Sequence, residues 1–513
     1  MDTKLILNLH LLLPEFIVAG TALGVILAEV ILPSERRSRP TAILTGLGLA
    51  IATLILILQQ PLGEAIKLVA EDGERFAGMA LTEWRADAFA LFARSLAVVG
   101  GLLVVLLSSG YTRRMDHGHG EFYALLLFAV LGVMLVSGVQ DLLTLFICLE
   151  LVTITSYVLV AFKRGDVRST EAGLKYLIVG AVSSAVLLFG IALVYGAVGE
   201  VAFPAMAQKI ASGDTNILLI MGLVLVVVGI FFKVGGFPFH VWIPDVYQGA
   251  PSPVTAFLST GSKAAGMVLM LRLGQAIVLP AVGTELGALW VWIFGGVALM
   301  TLLFGIFSAI PQKNLKRLFG YSSIGHAGYL LMGMAALAAD GGQAGAVNGA
   351  SAILFYLLAF FFTNLTAFTV IVLISNQTGG QHDASSYRGL WKRAPFLAFV
   401  MTVALLSLAG VPPLAGFFGK FLILSSVVKS GLLALAVVGA IGVAISMYFY
   451  MLWIRELYMH DPEPVLADEG VKIDPFARVV LAVGLLAMVG MGVFMGPFYA
   501  WAEKAAAAVL GAV

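Results

Sequence analysis

Residues 233–266 read KVGGFPFHVWIPDVYQGAPSPVTAFLSTGSKAAG. An unbroken apolar run, ILLIMGLVLVVVGIFF over 217–232, leads into this stretch. It then meets Lys233, Gly235, Gly236 and Pro238 in quick succession. Proline lacks an N–H and its ring clashes with the carbonyl four residues back, here that of Val234. Glycine adds backbone freedom beside it. The stretch therefore predicts a helix interrupted at depth, followed by a second apolar helix that carries Lys263 near its middle.

The rest of the chain supplies the same setting. Of 513 residues, 60% are hydrophobic and 12% charged, against about 25% charged in soluble domains. Apolar segments of about 20 residues, the length that spans a bilayer core, recur throughout. The reading is an all-α polytopic membrane protein with about 14 transmembrane helices: 10–32, 41–60, 87–110, 121–139, 142–161, 171–197, 216–247, 252–272, 287–310, 315–338, 347–376, 395–429, 432–455 and 476–506. The longest polar insertions, 61–86 and 457–475, are too short for soluble domains. The first apolar run follows Met1-Asp2-Thr3-Lys4 and ends without a small-residue cleavage pattern, so it reads as a retained helix.

A second interruption falls in the twelfth span, AGVPPLAGFFGK over 409–420. Gly410, Pro412 and Pro413 stand there as Gly235, Gly236 and Pro238 do in the seventh. Pro238 and Pro412 fall in opposite halves of the chain. Matched breaks in two halves of a membrane chain point to an internal repeat with a transport site between the halves. Spans 4–8 and 9–13 are then two five-helix repeats, inverted in the membrane because five is odd. The expected divisions are 1–120 (three N-terminal helices), 121–272 (first repeat), 287–455 (second repeat) and 456–513 (the last helix). A competing reading makes both interruptions ordinary proline kinks.

Four ionisable residues sit in the apolar spans: Glu150, Lys233, Lys263 and Lys420. Each costs about 2.5–3.5 kcal/mol at the bilayer centre on insertion scales, and such residues usually mark ion paths or proton relays. At 1.5 Å per residue, Glu150 lies roughly 13–14 Å beyond Asp141, and Lys263 roughly 16 Å beyond Ser252. Lys233 and Lys420 sit beside the two breaks, so all four lie near the midplane. A buried lysine is pulled between desolvation, which favours the neutral amine, and a nearby carboxylate, which favours the ammonium. That makes it a proton carrier. Glu150 is the candidate partner of Lys233. The alternative is a static Glu–Lys pair that locks the fold. His240, Ser262, Ser323 and His326 are candidate supporting polar groups, with packing within the bundle as their alternative role. Glu171 and Lys175 form an i,i+4 surface pair.

Other classes find no support. The lone Cys148 allows neither an intrachain disulfide nor a CxxC site. There is no P-loop, dinucleotide turn or zinc spacing, so no cofactor and no metal is expected in this chain. A net charge of +1 without a long basic tract gives no footprint for nucleic acid. Basic residues set orientation: 17 flank the odd-numbered spans on their trailing side and eight lie on the opposite side. Both termini are therefore expected on the non-cytoplasmic side.

The stretch 233–266, together with LELVTITSYVLVAF (149–162) and LSLAGVPPLAGFFGKF (406–421), resembles the antiporter-like membrane subunits of respiratory complex I, the bacterial proton-translocating NADH:quinone oxidoreductase. Within that family the wording DVYQGAPSPVTAFLS resembles the N-type subunit. The resemblance implies that Glu150, Lys233, Lys263 and Lys420 are the relay residues of helices five, seven, eight and twelve. M-type sisters usually carry glutamate at the last position. L-type sisters carry a long C-terminal arm, whereas this sequence ends at Val513, soon after its fourteenth helix. It further implies a bacterial inner-membrane location. The implied partners are an M-type antiporter-like subunit, K-type and J-type small subunits and the lipid bilayer. NADH, flavin, iron–sulfur clusters and quinone belong to other subunits. The implied function is proton translocation driven by redox chemistry elsewhere. A related multisubunit cation/proton antiporter and a catalytically silent membrane scaffold are the alternatives.

Overall fold

The seventh span ends early. Helix α7 (Ile217–Val234) stops at a left-handed glycine, Gly235, with φ 88°. The Gly235 and Gly236 N–H groups both return to the Phe231 carbonyl, at 2.9 and 2.8 Å. This is a glycine-closed helix end of the Schellman type. The twelfth span ends in the same way. Helix α12 (Pro395–Ala409) closes on Gly410 at φ 90°, whose N–H and that of Val411 both reach the Leu406 carbonyl at 3.0 Å. Pro238, Pro412 and Pro413 lie beyond these ends, in the linkers. The glycines stop the helices, and the expected clash of proline rings with the Val234, Leu408 and Ala409 carbonyls is not what breaks them. The matched positions are therefore Gly235 and Gly410, not Pro238 and Pro412. The Phe237–Pro238 and Pro412–Pro413 peptide bonds are cis.

This computed structural model describes residues 10–33, 37–70, 84–115, 118–339, 343–464 and 470–511. Among them the regular structure is helical, with three isolated bridges and no extended strand. The remaining long helices in chain order are α1 (Leu13–Ile31), α2 (Ser38–Ala70), α3 (Ala88–Thr112), α4 (His119–Val136), α5 (Leu142–Val160) and α6 (Val167–Val198). After α7, a short connector helix (Ile243–Gly249) leads into α8. Three stretches make up α8: Ser252–Phe257, a π-helical turn at Leu258–Ser262, and Lys263–Ile277. Then follow α9 (Glu285–Ala309), α10 (Leu315–Ala339) and α11 (Gln343–Gln377). After α12 come α13 (Ala415–Lys429), α14 (Leu433–Met459), α15 (Pro475–Val493) and α16 (Met495–Val509).

Every expected span is thus occupied by a helix or a pair of helices. Among the described residues, twelve helices are long and apolar enough to cross a membrane. The insertion 61–86 is partly helical, since α2 continues to Ala70; residues 71–83 lie outside the described residues, as do Met1-Asp2-Thr3-Lys4 and 465–469. The fourteenth span is likewise divided, at Phe494.

Polar caps start these helices where the sequence leaves an orphaned N–H group. Asp141 accepts from Leu143 and Thr144 at α5, Asp166 from Arg168 at α6, and Asn216 from Leu219 at α7. In the loop before α6, the hydrogen bond from Lys163 holds the Asp166 carboxyl below the usual carboxylate range. Helix α11 is the central pillar, 94% buried along its apolar length, and α8 is 83% buried; α1, α2, α6 and α14 are peripheral at 33%. Glycines let neighbours approach closely. A Cβ on Gly305 of α9 would lie 2.4 Å from the Gly325 nitrogen of α10, and one on Gly190 of α6 would lie 2.7 Å from the Val226 nitrogen of α7.

Two buried ion pairs fasten the N-terminal helices. Arg94 of α3 grips Glu15 of α1 bidentately, at 2.7 and 2.6 Å. Arg272 of α8 grips Asp87, the cap of α3, at 2.7 and 2.9 Å, and also binds the Ser137 carbonyl. Removing one partner of such a pair costs about 3–5 kcal/mol. These pairs give Arg94 and Arg272 structural roles.

Candidate functional site: a row of buried charges

The geometry of the two helix breaks fixes the two lysines that follow them. Lys263 sits directly after the π turn of α8, fully inside the bundle. Its Nζ donates to the Val234 carbonyl, the last residue of α7, and to the Ser323 carbonyl of α10, each at 2.9 Å. Lys420, in the second turn of α13, donates to the Ala409 carbonyl, the last residue of α12, at 3.1 Å. It also reaches Ser446 Oγ of α14 at 3.4 Å. A helix end leaves carbonyls without partners, and each lysine supplies one. Val234 and Ala409 correspond, each standing immediately before its cap glycine. Each amine sits beside its cap glycine: a Cβ at Gly235 or Gly410 would lie in ordinary contact, 3.7 Å, with Lys263 Nζ or Lys420 Nζ, and the tight neighbours would be Ile243 Cδ1 at 2.5 Å and Lys420 Cδ at 3.1 Å.

Lys233, in the last turn of α7, is 2% exposed. Its Nζ donates to Thr153 Oγ1 of α5 at 3.1 Å and to the Tyr176 hydroxyl of α6 at 3.4 Å. Glu150 lies one helical turn before Thr153. It does not touch Lys233. Its carboxylate accepts from Ser184 Oγ of α6 at 2.5 Å and is only half-buried, at the rim between α5 and α6. Thr153, not the carboxylate, therefore receives the amine that the sequence pairs with Glu150.

Between Lys263 and Lys420 runs a set of hydroxyls around His326 of α10. Ser323 presents its carbonyl to Lys263 and its hydroxyl to Tyr247 at 3.2 Å. The adjacent Ser322 hydrogen-bonds the Tyr450 hydroxyl. Tyr450 lies 3.2 Å from His326 Nε2, and Tyr356 of α11 bonds Nδ1 on the other side. One turn further along α10, the Tyr329 ring faces Lys420, with Nζ 5.2 Å from its centre. The lateral order is Glu150, Lys233, Lys263, His326, Lys420, running from the α5–α6 rim toward α14. The fold brings all four sequence-singled charges and His326 into this row.

The other two supporting candidates differ. Ser262 Oγ lies next to the Tyr176 hydroxyl without reaching hydrogen-bond geometry. It stands between the Lys233 and Lys263 sites. His240 is not in the row. Its ring is buried between Phe237 and Phe304, at 5.4 and 4.2 Å, and neither nitrogen has a hydrogen-bond partner among the described residues. Glu171 and Lys175 do pair, at 2.7 Å, but Lys175 also binds Asp245 at 2.7 Å. Asp245 in turn holds Arg317 of α10. The surface pair is therefore part of a cluster joining α6, the connector helix and α10.

Sequence reasoning missed Tyr176, Tyr356 and Tyr450 and a fourth buried lysine. Lys316 counts in the sequence as one of several loop cations, yet it is 1% exposed and donates to the Ala250 carbonyl at 2.5 Å. Near it, His382 meets Ser252 and Ser375 at 3.4 Å each. The signal was present in the helical phase. Lys316 and Arg317 point about 100° apart on α10, so when Arg317 turns to Asp245, Lys316 must enter the bundle. Among the described residues no cluster of metal-ligating side chains occurs.

Comparison with known proteins agrees with this architecture. Residues 139–446 match the family described as NADH:quinone oxidoreductase/Mrp antiporter, transmembrane. The NADH-quinone oxidoreductase subunit N of Desulfitobacterium hafniense is 40% identical, over 83% of this chain and 86% of its own length. That of Moorella thermoacetica is 35% identical over 97% and 98%. Among solved structures, a chain of respiratory complex I from Thermus thermophilus superposes with a TM-score of 0.76 at 30% identity. That match covers 95% of this chain and 99% of that one. With its two glycine-closed helix breaks and the lysines bound to them, this chain belongs to the family of transmembrane subunits shared by NADH:quinone oxidoreductases and Mrp antiporters.

Proposed function

We propose that this chain is the N-type, proton-translocating membrane subunit of a bacterial NADH:quinone oxidoreductase. It moves protons along the row Glu150, Lys233, Lys263, His326 and Lys420. The observation that carries the mechanism is the hydrogen-bonded chain of Ser322, Tyr450, His326 and Tyr356 between two buried lysines. Each of these groups both donates and accepts, so a proton can enter one side and leave by the other. Between Lys233 and Lys263 the hydroxyls of Tyr176 and Ser262 offer polar ground for a bridging water. Protons reach Lys263 from the membrane end where Lys316 and His382 flank Ser252, roughly 16 Å along α8. Electrons, flavin, iron–sulfur clusters and quinone stay in other subunits. M-type, K-type and J-type membrane subunits are its neighbours. The half-buried Glu150 supports a neighbour on the α5–α6 side, since a carboxylate at membrane depth faces protein or water in preference to lipid.

The two breaks support the internal repeat. Matching caps at Gly235 and Gly410, each tied to a lysine, give spans 4–8 (121–272) and 9–13 (287–455) corresponding roles within a fourteen-span chain. Residues 1–120 and 456–513 lie outside the repeats. The basic loops put both termini on the non-cytoplasmic side of the inner membrane. A phosphatase reporter fused after Val513 should therefore be active, and a fluorescent-protein fusion there dark; the opposite pattern overturns the orientation.

The relay is driven from elsewhere in the complex, through a change in how Glu150 acts on Lys233. Glu150→Ala should lower proton pumping and slow NADH:quinone turnover at unchanged assembly, while Glu150→Asp retains most of both. Measurement is in inverted membrane vesicles with a pH-sensitive dye. Pumping at the parental level in assembled Glu150→Ala assigns Glu150 a structural place only. The antiporter reading, which the shared family keeps alive, predicts sodium- or potassium-dependent proton exchange by the chain without NADH; the proposed reading predicts none.

A further inference from the structure

The two lysines tied to helix ends are not held alike. The Lys263 amine donates to two backbone carbonyls, each at 2.9 Å. The Lys420 amine has one carbonyl, that of Ala409 at 3.1 Å, and the Ser446 hydroxyl at the longer distance of 3.4 Å. Both side chains are equally buried, at 3% exposure. An ammonium has three N–H donors and no acceptor, and a buried charge is costly wherever its contacts are poor. Lys420 has a further neighbour of another kind. The Tyr329 ring of α10 presents its face to the amine, with Nζ 5.2 Å from the ring centre. A cation within about 6 Å of an aromatic centre is attracted by the negative ring face, most strongly where both are desolvated.

The setting of Tyr329 fixes that face in place. The residue is 2% exposed, and its hydroxyl donates to the Gly439 carbonyl of α14 at 2.9 Å. The hydroxyl seats against Gly442, where a Cβ would lie 3.0 Å from its oxygen. The Tyr356 ring of α11 meets the Tyr329 ring nearly perpendicularly, at 83° and 6.3 Å between centres. An anchored hydroxyl and a perpendicular neighbour hold the plane of the ring. The hydroxyl proton is committed to a carbonyl, so Tyr329 offers Lys420 a π-face and not a proton-transfer group. Tyr356 and Tyr450 differ, because their hydroxyls reach His326. We propose that Tyr329 is the positioning residue of Lys420: its ring face holds the ammonium at the end of the row, and its hydroxyl serves to anchor the ring. This inference rests on the reading of Lys420 as a proton carrier.

The test varies the ring's charge distribution while keeping its shape. In the assembled complex, residue 329 is replaced by phenylalanine and by phenylalanines with one, two or three ring fluorines, inserted at an amber codon. Fluorine withdraws electron density from the ring face, the property that attracts a cation. Proton pumping is measured in inverted vesicles and normalised to assembled complex. Tyr329→Phe keeps the face and should retain most of the parental rate. From that reference the rate should fall with each added fluorine, by about tenfold over the series. Tyr329→Leu, which removes the face, should lie at or below the trifluoro variant. A role in packing alone gives a flat series, and a flat or rising series overturns the proposal. So does Tyr329→Phe falling to the level of Tyr329→Leu, which would make the hydroxyl the working group. Lys420→Ala, measured alongside, separates the two readings. Parental pumping there removes Lys420 from the relay and this inference with it. A flat fluorine series beside an inactive Lys420→Ala overturns the role of the ring alone.

Discussion

Lys263→Met should stop proton pumping while leaving the complex assembled. Methionine keeps the length and apolar bulk of the lysine stem and removes the exchangeable protons. Two carbonyls, of Val234 and Ser323, lose their donor. Both are backbone groups at a helix end and within a helix, where a water can replace the amine, so the fold should survive. On the proposed path the relay should not, because there Lys263 links the Lys233 site to the Ser322–Tyr450–His326 chain. A positioned proton-transfer group contributes about 10²–10⁴-fold, so pumping should fall by about 100-fold or to the assay floor. The measurement is proton uptake into inverted vesicles, normalised to assembled complex. Assembled Lys263→Met complex with parental pumping would reduce Lys263 to a structural tie between α7, α8 and α10.

At Lys420, substitution by arginine should be nearly as damaging as substitution by alanine. The guanidinium keeps the positive charge and can still donate to the Ala409 carbonyl, but it stays protonated at any physiological pH and cannot release the proton. Lys420→Ala removes the site altogether. A fixed structural cation gives another pattern, with arginine tolerated and alanine disruptive. The two lysines tied to the helix breaks make the comparison informative, since both hold the same kind of carbonyl, at 2.9 and 3.1 Å. If Lys420→Arg pumps like the parent while Lys420→Ala does not, Lys420 is a charge that shapes the field of the row and not a carrier within it.

The sequence by itself determined the class of protein and singled out the charges of the proposed relay. Apolar segments of membrane-spanning length have one stable solution in lipid, the helix, because every backbone group must be satisfied within the segment. The same cost makes lone charges in those segments conspicuous, which is why Glu150, Lys233, Lys263 and Lys420 stood out. Local chemistry also announced the breaks at 233–240 and 409–420, although it credited the prolines with what Gly235 and Gly410 do through their left-handed conformation. Only the tertiary structure decided which charges face each other. Depth along a helix follows from counting residues, whereas lateral position depends on how helices pack. That packing gives Lys233 to Thr153 and Glu150 to Ser184, turns His240 toward Phe304, and brings Tyr356 and Tyr450 from α11 and α14 onto His326. It also pairs Arg94 with the distant Glu15, and draws Lys316 inward because Arg317 is held outside by Asp245. Apart from Lys316, whose phase against Arg317 could be read, none of these has a sequence signature, because each joins residues whose separation along the chain carries no periodicity.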